Sequence, residues 1–397
     1  MPSSNPLRIA VVTETYPPEV NGVSTTIARV VEGLLECGHR LQLVRPRRDE
    51  GDAGTPGPGL QTLLVRGLPI PRYPQLRMGL PARRTLVSSW LRERPDVVHI
   101  ATEGPLGWSA LRAALQLKLP LTSDFRTNFH AYSRHYGIGW LERPIVGYLR
   151  RFHNRTGCTM APTEMLRREL EHAGFERTAV VARGVDARRF SPERRSEALR
   201  RSWGVGADET VVLCVGRLAP EKNLDTLLEA FEGMRAVNPA LRLVLVGDGP
   251  MREQLRQRCP DAVFAGLRGG DDLAAHYASG DLFLFPSLTE TFGNVTPEAM
   301  ASGLPVLAFD CAAAGQLIRN GVNGWLARVD DRADFVRHAV ALAADPLAAR
   351  PTGAAARATA LDLDWSRVVN QVETVMRSVM RVAHAGSAGP ALLLGSE

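Results

Sequence analysis

Short apolar runs alternate with longer stretches of helical periodicity in the first half of the chain, as in parallel sheets whose strands are joined by helices. A helix is predicted from Ser24 to Cys37, because Gly38 follows the last periodic position as a C-terminal stop. Residues 49–59 are rich in Gly, Pro and Asp, which predicts a loop. The predicted strands of this half cover residues 7–13, 41–44, 97–101, 119–123, 158–161 and 179–182.

A second series of the same kind begins near residue 208. Between the two series, residues 184–206 are rich in arginine and show little apolar periodicity, so we expect a linker there. The expected architecture is two doubly wound, Rossmann-like α/β domains, at 1–188 and 189–364, facing each other across a cleft. The predicted strands of the second domain cover residues 210–215, 241–246, 262–265, 282–285 and 306–309.

The last part of the chain predicts one more helix. Residues 365–382 place valine and methionine at helical spacing after the second sheet is complete. We therefore expect a helix over 365–383 that packs back on the first domain. The remaining residues, 384–397, are small and polar, and we expect them to be disordered.

Composition excludes several classes of protein. Of the 397 residues, 45% are hydrophobic and 23% are charged, which is ordinary for globular domains and unlike disordered, collagen-like or coiled-coil chains. No run approaches the ~18 consecutive apolar residues of a membrane span. The five cysteines are scattered without metal-ligand spacing, and the first residues lack the features of a signal peptide. We expect a reduced, cytoplasmic protein.

Charge is distributed unevenly along the chain. Residues 1–183 hold 25 Lys and Arg against 16 Asp and Glu, a net charge of +9, within a total of +6. The remaining residues therefore carry −3. A basic first domain indicates an anionic partner, either nucleic acid or an anionic membrane surface. A generally arginine-rich composition explains the same count, since the chain has only two lysines, Lys118 and Lys222.

The loop after the first predicted strand has the features of an anion site. Gly22 precedes a helix whose first turn contains Ser24, Thr25 and Thr26, and free N–H groups at a helix N-terminus favour phosphate. The segment lacks the G-x-G-x-x-G pattern of dinucleotide-binding folds, which argues against nicotinamide binding. The alternative is that Gly22 only permits a tight turn.

Two cations follow the first strand of the second domain. Arg217 and Lys222 lie on the loop after residues 211–215, at the carboxyl end of a strand, where open α/β sheets bind ligands. A bidentate arginine and a point-charged lysine together suit a diphosphate. The alternative is a solvated loop with ordinary surface charges.

The segment 285–306 is the richest in candidate groups. Glu290 stands in a strand-to-helix turn, and Glu298 stands in the first turn of the following helix. Carboxylates only accept hydrogen bonds, so both suit the hydroxyls of a sugar or a ribose. The alternatives are helix-dipole stabilisation for Glu298 and a solvated loop position for Glu290. Candidate backbone donors to the same ligand are Phe292, Gly293 and Asn294.

His130 stands in a polar and aromatic segment that follows the predicted strand 119–123. A histidine at that edge of a sheet can bond a hydroxyl or stabilise developing charge. The alternative is a structural histidine.

Taken together, these segments resemble the retaining glycosyltransferases of family 4, which have the GT-B fold. The resemblance covers residues 7–382. The runs at 124–133 and 289–306 narrow it to a branch that holds GDP-mannose-dependent α-mannosyltransferases and sulfoquinovosyl-diacylglycerol synthases. One departure is Asn21-Gly22, where many relatives have two glycines, although the second amide, credited with the phosphate contact, is kept.

The resemblance implies roles around the donor nucleotide. Arg217 and Lys222 would neutralise the diphosphate, and the Gly22 amide would cap its distal phosphate. Glu298 would bind the ribose. The base would be flanked by Leu267 and Arg268.

The resemblance also implies roles around the donor sugar. Glu290 would hold the sugar together with the amides of Phe292 and Gly293, and His130 would contact its 6-position near the anomeric carbon. Asp248, in Gly247-Asp248-Gly249, lies in a matching turn without an implied role.

The implied activity is transfer of a hexose from a nucleotide sugar, with GDP-mannose favoured, to an acceptor hydroxyl on a lipid such as diacylglycerol or a glycolipid. Arg217 and Lys222 would stabilise the departing diphosphate, so no metal or other cofactor is expected. In a front-face reaction the leaving phosphate would accept the acceptor proton, which accounts for the lack of an evident base. The alternatives are a UDP-sugar donor, a soluble or polysaccharide-precursor acceptor, and a non-enzymatic nucleotide-sugar sensor.

An anionic membrane surface is the favoured macromolecular partner of the basic first domain, at the inner face of the cytoplasmic membrane. Nucleic acid is not favoured, because no module that interleaves aromatic and basic residues is evident. A helix near residues 140–155 is a candidate interfacial element, and the alternative is a helix packed on the core with a charged outer face. Its residues are Trp140, Leu141, Arg143, Ile145, Val146, Tyr148, Leu149, Arg150, Arg151 and Arg155.

Overall fold

The computed structural model describes residues 5–19, 21–54, 57–70, 73–126, 142–206 and 209–387. The chain forms two compact units. Unit 1 comprises Met1–Thr127, Arg143–Ala182 and Trp365–Glu397, and unit 2 comprises Asn128–Glu142 and Arg183–Asp364.

Unit 1 is built on a parallel sheet with helices on both faces. Its strands are β1 (Arg8–Val12), β2 (Arg40–Pro46), β3 (Leu60–Val65), β4 (Gly67–Ile70), β5 (Tyr73–Gly79), β6 (Val97–Ile100), β7 (Leu121–Asp124), β8 (Cys158–Ala161) and β9 (Thr178–Val180). Its helices before residue 182 are α1 (Gly22–Glu36), α2 (Arg83–Arg92), α3 (Pro105–Gln116), α4 (Glu142–His153) and α5 (Glu164–His172).

The seven strands of this sheet run in the order β3-β2-β1-β6-β7-β8-β9, and β4 and β5 form a separate antiparallel hairpin. The order reverses between β1 and β6, which places the switch point at the carboxyl end of β1. Side chains of β1 alternate between two cores: Ile9 and Val11 pack with α1, and Ala10 and Val12 pack with α2 and α3.

Unit 2 repeats this plan. Its strands are β10 (Thr210–Val215), β11 (Leu241–Val246), β12 (Val263–Gly266), β13 (Leu282–Phe285), β14 (Val306–Phe309) and β15 (Trp325–Ala327). Its helices are α6 (Glu197–Ser202), α7 (Leu224–Val237), α8 (Arg252–Arg258), α9 (Gly270–Ala278), α10 (Val295–Ala301), α11 (Ala312–Leu317), α12 (Arg332–Ala344) and α13 (Arg350–Leu361). Short 3₁₀ turns cover Pro192–Arg194 and Pro220–Lys222.

The sheet of unit 2 has the parallel order β12-β11-β10-β13-β14-β15, with its switch point between β10 and β13. The prediction of two Rossmann-like, doubly wound sheets is thereby confirmed. Two edge strands, β3 and β15, were not predicted. Edge strands are shielded on one side only, so their residues are half-buried and their apolar signal is weak.

The segment predicted as a linker is part of unit 2. Val185, Phe190, Trp203 and Val205 are buried in its core. These large side chains follow no helical or strand period, so the sequence pattern did not indicate burial.

The final helix, α14 (Trp365–Ser387), packs on unit 1. Val368, Val369, Val372 and Met376 are buried beside α1. The helix continues to Ser387, so residues 384–387 are helical rather than disordered as predicted. These residues read His-Ala-Gly-Ser, so their own propensity does not explain the helix; an existing helix extends more easily than a new one starts, because each added residue gains a hydrogen bond. Residues 388–397 lie outside the described residues.

Helix α4, the candidate interfacial helix, packs its apolar side on unit 1. Leu149 and Phe152 are buried in the core, and Ile145 and Val146 are partly buried against it. The structure therefore favours the core-packed alternative for this part of the helix. Trp140 and Leu141 lie outside the described residues. Within the described ranges, no helix combines the length and the apolar character that crossing a membrane requires.

Candidate active site

The loop after β10 is held in place by the turn after β11. Leu218 N–H donates to the Asp248 carbonyl at 2.9 Å, and Met251 N–H donates to the Leu218 carbonyl at 2.9 Å. A Cβ added to Gly247, whose φ is +137°, would lie 1.9 Å from the Gly216 carbonyl oxygen. Glycine at 247 is therefore needed for the two loops to meet. This contact fixes the backbone on both sides of Arg217.

Lys222 and Glu290 meet at the switch point of the unit 2 sheet. Lys222 ends the 3₁₀ turn after β10, Glu290 lies in the loop after β13, and the Lys222 ammonium donates to the Glu290 carboxylate. Ser287 Oγ donates to the same carboxylate oxygen at 2.7 Å. The Lys222 Nζ also lies 5.9 Å from the centre of the Phe285 ring. Two predicted groups, 68 residues apart in sequence, thus form one cluster.

Electrostatics keep Glu290 ionised. Burial acts to raise the pKa of Glu290, but the Lys222 charge and the bonds from Lys222 and Ser287 hold the pKa below its ordinary value. A carboxylate in this state presents only acceptor oxygens, which suits sugar hydroxyls.

Arg217 lies on the same loop as Lys222. Its guanidinium is 3.6 Å from the carboxylate of the buried Glu221, and its side chain is 37% exposed. The Glu221 carbonyl accepts a 2.9 Å bond from Thr289 Oγ1, which ties this loop to the loop that carries Glu290. The loops after β10 and β13 therefore carry two cations and two carboxylates, those of Glu221 and Glu290, to the same edge of the sheet.

Glu298 is separated from Glu290 and has a different partner. It lies on α10, and the hydroxyl of the buried Tyr277 on α9 donates to its carboxylate at 2.9 Å. Burial raises the pKa of Glu298 to about 7, and the bond from Tyr277 opposes this shift. The two glutamates thus differ in charge state near neutral pH.

The turn between Glu290 and α10 has the backbone shape that only glycine adopts without strain. Gly293 has a φ of +87°, Asn294 is the N-cap residue of α10, and the Phe292 carbonyl accepts a 2.7 Å bond from Ala313 N–H. The described residues place no hydrogen-bond acceptor on the N–H groups of Phe292 and Gly293. Both groups are available to a ligand.

The remaining residues predicted for unit 2 lie in neighbouring turns. Leu267 is 67% exposed after β12, and Arg268 donates to the Ala265 carbonyl at 2.8 Å and pairs with Asp272. The Asp248 carboxylate accepts from its neighbour Gly249 N–H at 2.8 Å and lies near Arg252. Its side chain bonds within its own turn and takes no part in the Lys222–Glu290 cluster.

In unit 1, α1 begins at Gly22, two residues earlier than the predicted start at Ser24. The Asn21 side chain caps this helix by accepting from Ser24 N–H at 2.8 Å. One of the free N–H groups expected at this helix end therefore already has a partner. His130 lies outside the described residues, and its role stays a prediction.

Several contributing residues were not predicted from the sequence. Tyr277 and Ser287 orient the two glutamates, and Thr289 joins the two loops. In unit 1, the Glu14 carboxylate at the end of β1 accepts from Leu106 N–H at 2.9 Å, and burial raises its pKa to about 7. Of these residues, Ser287 was the only one that the sequence could have indicated, because it stands three residues before Glu290.

In the ranges that the structure covers, no group of three or more His, Cys, Asp or Glu could hold a metal ion.

The amino-acid sequence is similar to known protein families and to individual proteins. Residues 20–189 match the sequence profile described as Glycosyltransferase Family 4, and residues 209–345 match the one described as Glycosyl transferases group 1. A GDP-mannose-dependent alpha-mannosyltransferase of Corynebacterium glutamicum is 37% identical over 82% of this chain and 78% of its own length. The sulfoquinovosyl transferase SQD2 of Arabidopsis thaliana is 30% identical over 93% of this chain and 73% of its own.

Solved structures share the fold. Sucrose-phosphate synthase of Thermosynechococcus elongatus aligns with a TM-score of 0.78 at 19% identity, over 95% of this chain and 100% of its own. HepE of Anabaena, in complex with UDP and glucose, aligns with a TM-score of 0.73 at 20% identity, over 94% of this chain and 100% of its own.

Proposed function

The chain belongs to glycosyltransferase family 4, and from this membership we propose that it transfers a hexose from GDP-mannose to a lipid or glycolipid acceptor with retention of anomeric configuration. The fold is GT-B, with two Rossmann-like units. The observation that carries the proposal is the cluster of Arg217, Lys222 and Glu290 at the switch point of unit 2.

The cations of this cluster suit the departing diphosphate. Retaining transfer passes through an oxocarbenium-like state while negative charge builds up on phosphate, so charge stabilisation at phosphate lowers the barrier. Arg217 offers a bidentate fork and Lys222 a point charge. Because these two side chains supply positive charge at the phosphate, the proposed reaction uses no metal. Gly22 stays a predicted contact to the distal phosphate.

Glu290 and Glu298 would contact two different parts of the donor, the sugar and the ribose. Glu290, ionised and held by Lys222, accepts bonds from donor-sugar hydroxyls together with the N–H groups of Phe292 and Gly293. Glu298 accepts from the ribose hydroxyls. His130 stays a predicted contact to the sugar 6-position.

The reaction we propose is a front-face transfer, in which the leaving phosphate accepts the proton of the acceptor hydroxyl. A double displacement would need a carboxylate nucleophile, and Glu290 is the candidate. Its salt bridge to Lys222 lowers its nucleophilicity, which favours the front-face route. Mass spectrometry of enzyme quenched during turnover is expected to find no sugar on Glu290. A covalent Glu290 adduct would contradict the front-face route.

The names of the relatives support the choice of donor and acceptor. GDP-mannose is the donor named for the Corynebacterium relative, and alpha-monoglucosyldiacylglycerol synthase of Streptococcus pneumoniae, 26% identical over 81% of this chain, is named for a diacylglycerol product. Thermal-shift measurements with GDP, UDP and ADP are expected to show the largest stabilisation with GDP. A larger shift with UDP would favour the UDP-sugar alternative.

Replacement of the two cations tests the proposal. Arg217→Ala and Lys222→Ala are each expected to lower kcat by about 10²–10³-fold, since each removes a charge from the developing phosphate anion. Transfer from radiolabelled GDP-mannose to a lipid extract measures the loss. Arg256→Ala, an exposed arginine on α8, is the matched control and should leave kcat unchanged. Unchanged turnover in the Arg217→Ala, Lys222→Ala double variant would overturn the proposed function.

A further inference from the structure

Ala312 has a backbone conformation that alanine seldom adopts. It is the first residue of α11, directly after the extended Cys311, and its φ is +50°. In this left-handed region the Cβ lies too close to the following carbonyl oxygen, so residues other than glycine are strained there. Such strain persists only where surrounding contacts hold it, and it is concentrated at functional sites.

The strained residue is also buried. Ala312 is 6% exposed, whereas the other described residues that combine a side chain with a positive φ are exposed or half-buried. These are Lys118, Arg177, Asn223 and Asp330. Asparagine and aspartate tolerate this conformation because their short polar side chains can bond to the nearby backbone. Alanine has no such bond, so the cause of its conformation lies in the contacts of its segment.

The segment that follows β14 contacts the loop that carries Glu290 at two points. Ala313 N–H donates to the Phe292 carbonyl at 2.7 Å. The Cys311 thiol donates weakly to the Ser287 carbonyl, with the sulfur 3.8 Å from the oxygen. Ser287 and Phe292 stand on opposite sides of Glu290 in sequence. The segment therefore holds both flanks of the turn that we assign to the donor sugar.

Peptide geometry links one of these contacts to a ligand-facing group. The Phe292 carbonyl and the Gly293 N–H belong to one planar trans peptide, so they point in opposite directions. A bond that fixes this carbonyl therefore also fixes the direction of the Gly293 N–H. Rotation of the Ala312 backbone to a negative φ would turn the Ala313 N–H away from the Phe292 carbonyl and release that peptide.

We propose that Ala312 is a positioning residue for the donor sugar. Its left-handed backbone directs the Ala313 N–H to the Phe292 carbonyl, and this bond aims the Gly293 N–H at the sugar. The strain at Ala312 is thus retained because it preorganises a hydrogen-bond donor. The inference rests on the proposed function, in which the Gly293 N–H contacts the donor sugar. GDP lacks that sugar, so the effect is confined to the intact donor.

Calorimetric titration of the full chain with GDP-mannose and with GDP, without acceptor, tests this role. Ala312→Val places a β-branched residue at a positive φ, so the turn should rearrange. The Kd of GDP-mannose should then rise about ten-fold, the loss expected for one hydrogen bond, while the Kd of GDP stays within about two-fold. Ala312→Gly and Ala312→Asn accept a positive φ and should keep the affinity of the unaltered protein for both ligands.

The matched control is Asp330→Val, in the exposed loop between β15 and α12, where φ is +60°. It puts valine in the same backbone region at a position outside the proposed donor site. It should lower the melting temperature as Ala312→Val does, but leave both Kd values unaltered. Hydrogen exchange gives a readout without any ligand: residues 310–317 should lose protection in Ala312→Val and keep it in Ala312→Gly and Ala312→Asn.

Three results would overturn the role of Ala312. These are unchanged GDP-mannose affinity in Ala312→Val, equal losses of affinity for GDP and GDP-mannose, and equal losses in Ala312→Asn and Ala312→Val, which would make side-chain volume the cause. Failure of the proposed function is a separate result. The unaltered chain would then not bind GDP-mannose, while hydrogen exchange would still separate Ala312→Val from Ala312→Gly.

Discussion

At the scale of single residues, the surroundings of two glutamates shift their pKa values in opposite directions. Glu290 and Glu298 stand eight residues apart in sequence. Lys222 holds the pKa of Glu290 below its ordinary value, whereas burial beside Tyr277 raises the pKa of Glu298 to about 7. One carboxyl is therefore ionised at all working pH values, and the other changes charge near neutrality.

The pKa of Glu298 predicts a pH dependence of donor binding. Below pH 7 the protonated carboxyl loses acceptor capacity for the ribose, so KM for the donor should rise by up to about ten-fold per pH unit. Above pH 8 it should be constant. Tyr277→Phe removes a bond that favours the ionised form, so the pH at which KM begins to rise should move upward. Steady-state kinetics from pH 5 to 9 measure both effects.

The control for this prediction is Tyr148→Phe in unit 1, whose hydroxyl donates to the Glu103 carbonyl at 2.5 Å. It should leave the donor profile unchanged. If the rise in KM begins at the same pH in the Tyr277→Phe variant and in the unaltered enzyme, Tyr277 does not set the charge state of Glu298.

At the scale of elements, α14 packs closely on α1 because a glycine of α1, Gly33, lies opposite a valine of α14, Val369. A Cβ added at Gly33 of α1 would lie 2.4 Å from a Val369 methyl group. The absence of a side chain at Gly33 thus makes room for α14. Val368, Val369, Val372 and Met376 fill that side of the unit 1 core.

Removal of one buried side chain from α14 tests this packing. Met376→Ala should lower the free energy of unfolding by about 2–4 kcal/mol, through lost apolar burial and the cavity left behind. Val382→Ala alters the same helix at a position 73% exposed, and should change it by less than about 0.5 kcal/mol. Urea denaturation followed by circular dichroism gives both values, and similar losses in the two variants would contradict the described packing.

At the scale of the whole molecule, unit 1 is discontinuous in sequence. Arg183–Asp364 belong to unit 2, and the chain then returns to unit 1 with α14. The four α14 side chains buried in the unit 1 core are each worth about 1.5–3 kcal/mol of apolar burial. Their sum is comparable to the whole stability of a typical domain, about 5–15 kcal/mol. The last helix is therefore an integral part of the first unit.

A chain ended at Asp364 is expected to lose the cooperative unfolding of unit 1 while unit 2 keeps its own. Hydrogen exchange should show lost protection in β1 and α1 but not in β10 and α7. Adding residues 365–387 as a separate peptide should restore protection. Uniform protection in the shortened chain would show that α14 is dispensable for unit 1.

The sequence by itself determined the elements whose signal is local. The strands at both sheet centres are continuous apolar runs because helices cover both faces, and such runs are visible without any partner. Arg217, Lys222, Glu290 and Glu298 were predictable as candidates because strand-end loops in this fold class bind ligands. The family resemblance rested on these same loops.

Only the tertiary structure decided which of these groups meet. The Lys222–Glu290 contact and the Tyr277–Glu298 bond depend on strand order and helix packing, which no local spacing encodes. The burial of Phe190 and Trp203 in unit 2 has the same origin. A side chain's pKa and exposure are set by neighbours distant in sequence, and these exist only once the chain has folded.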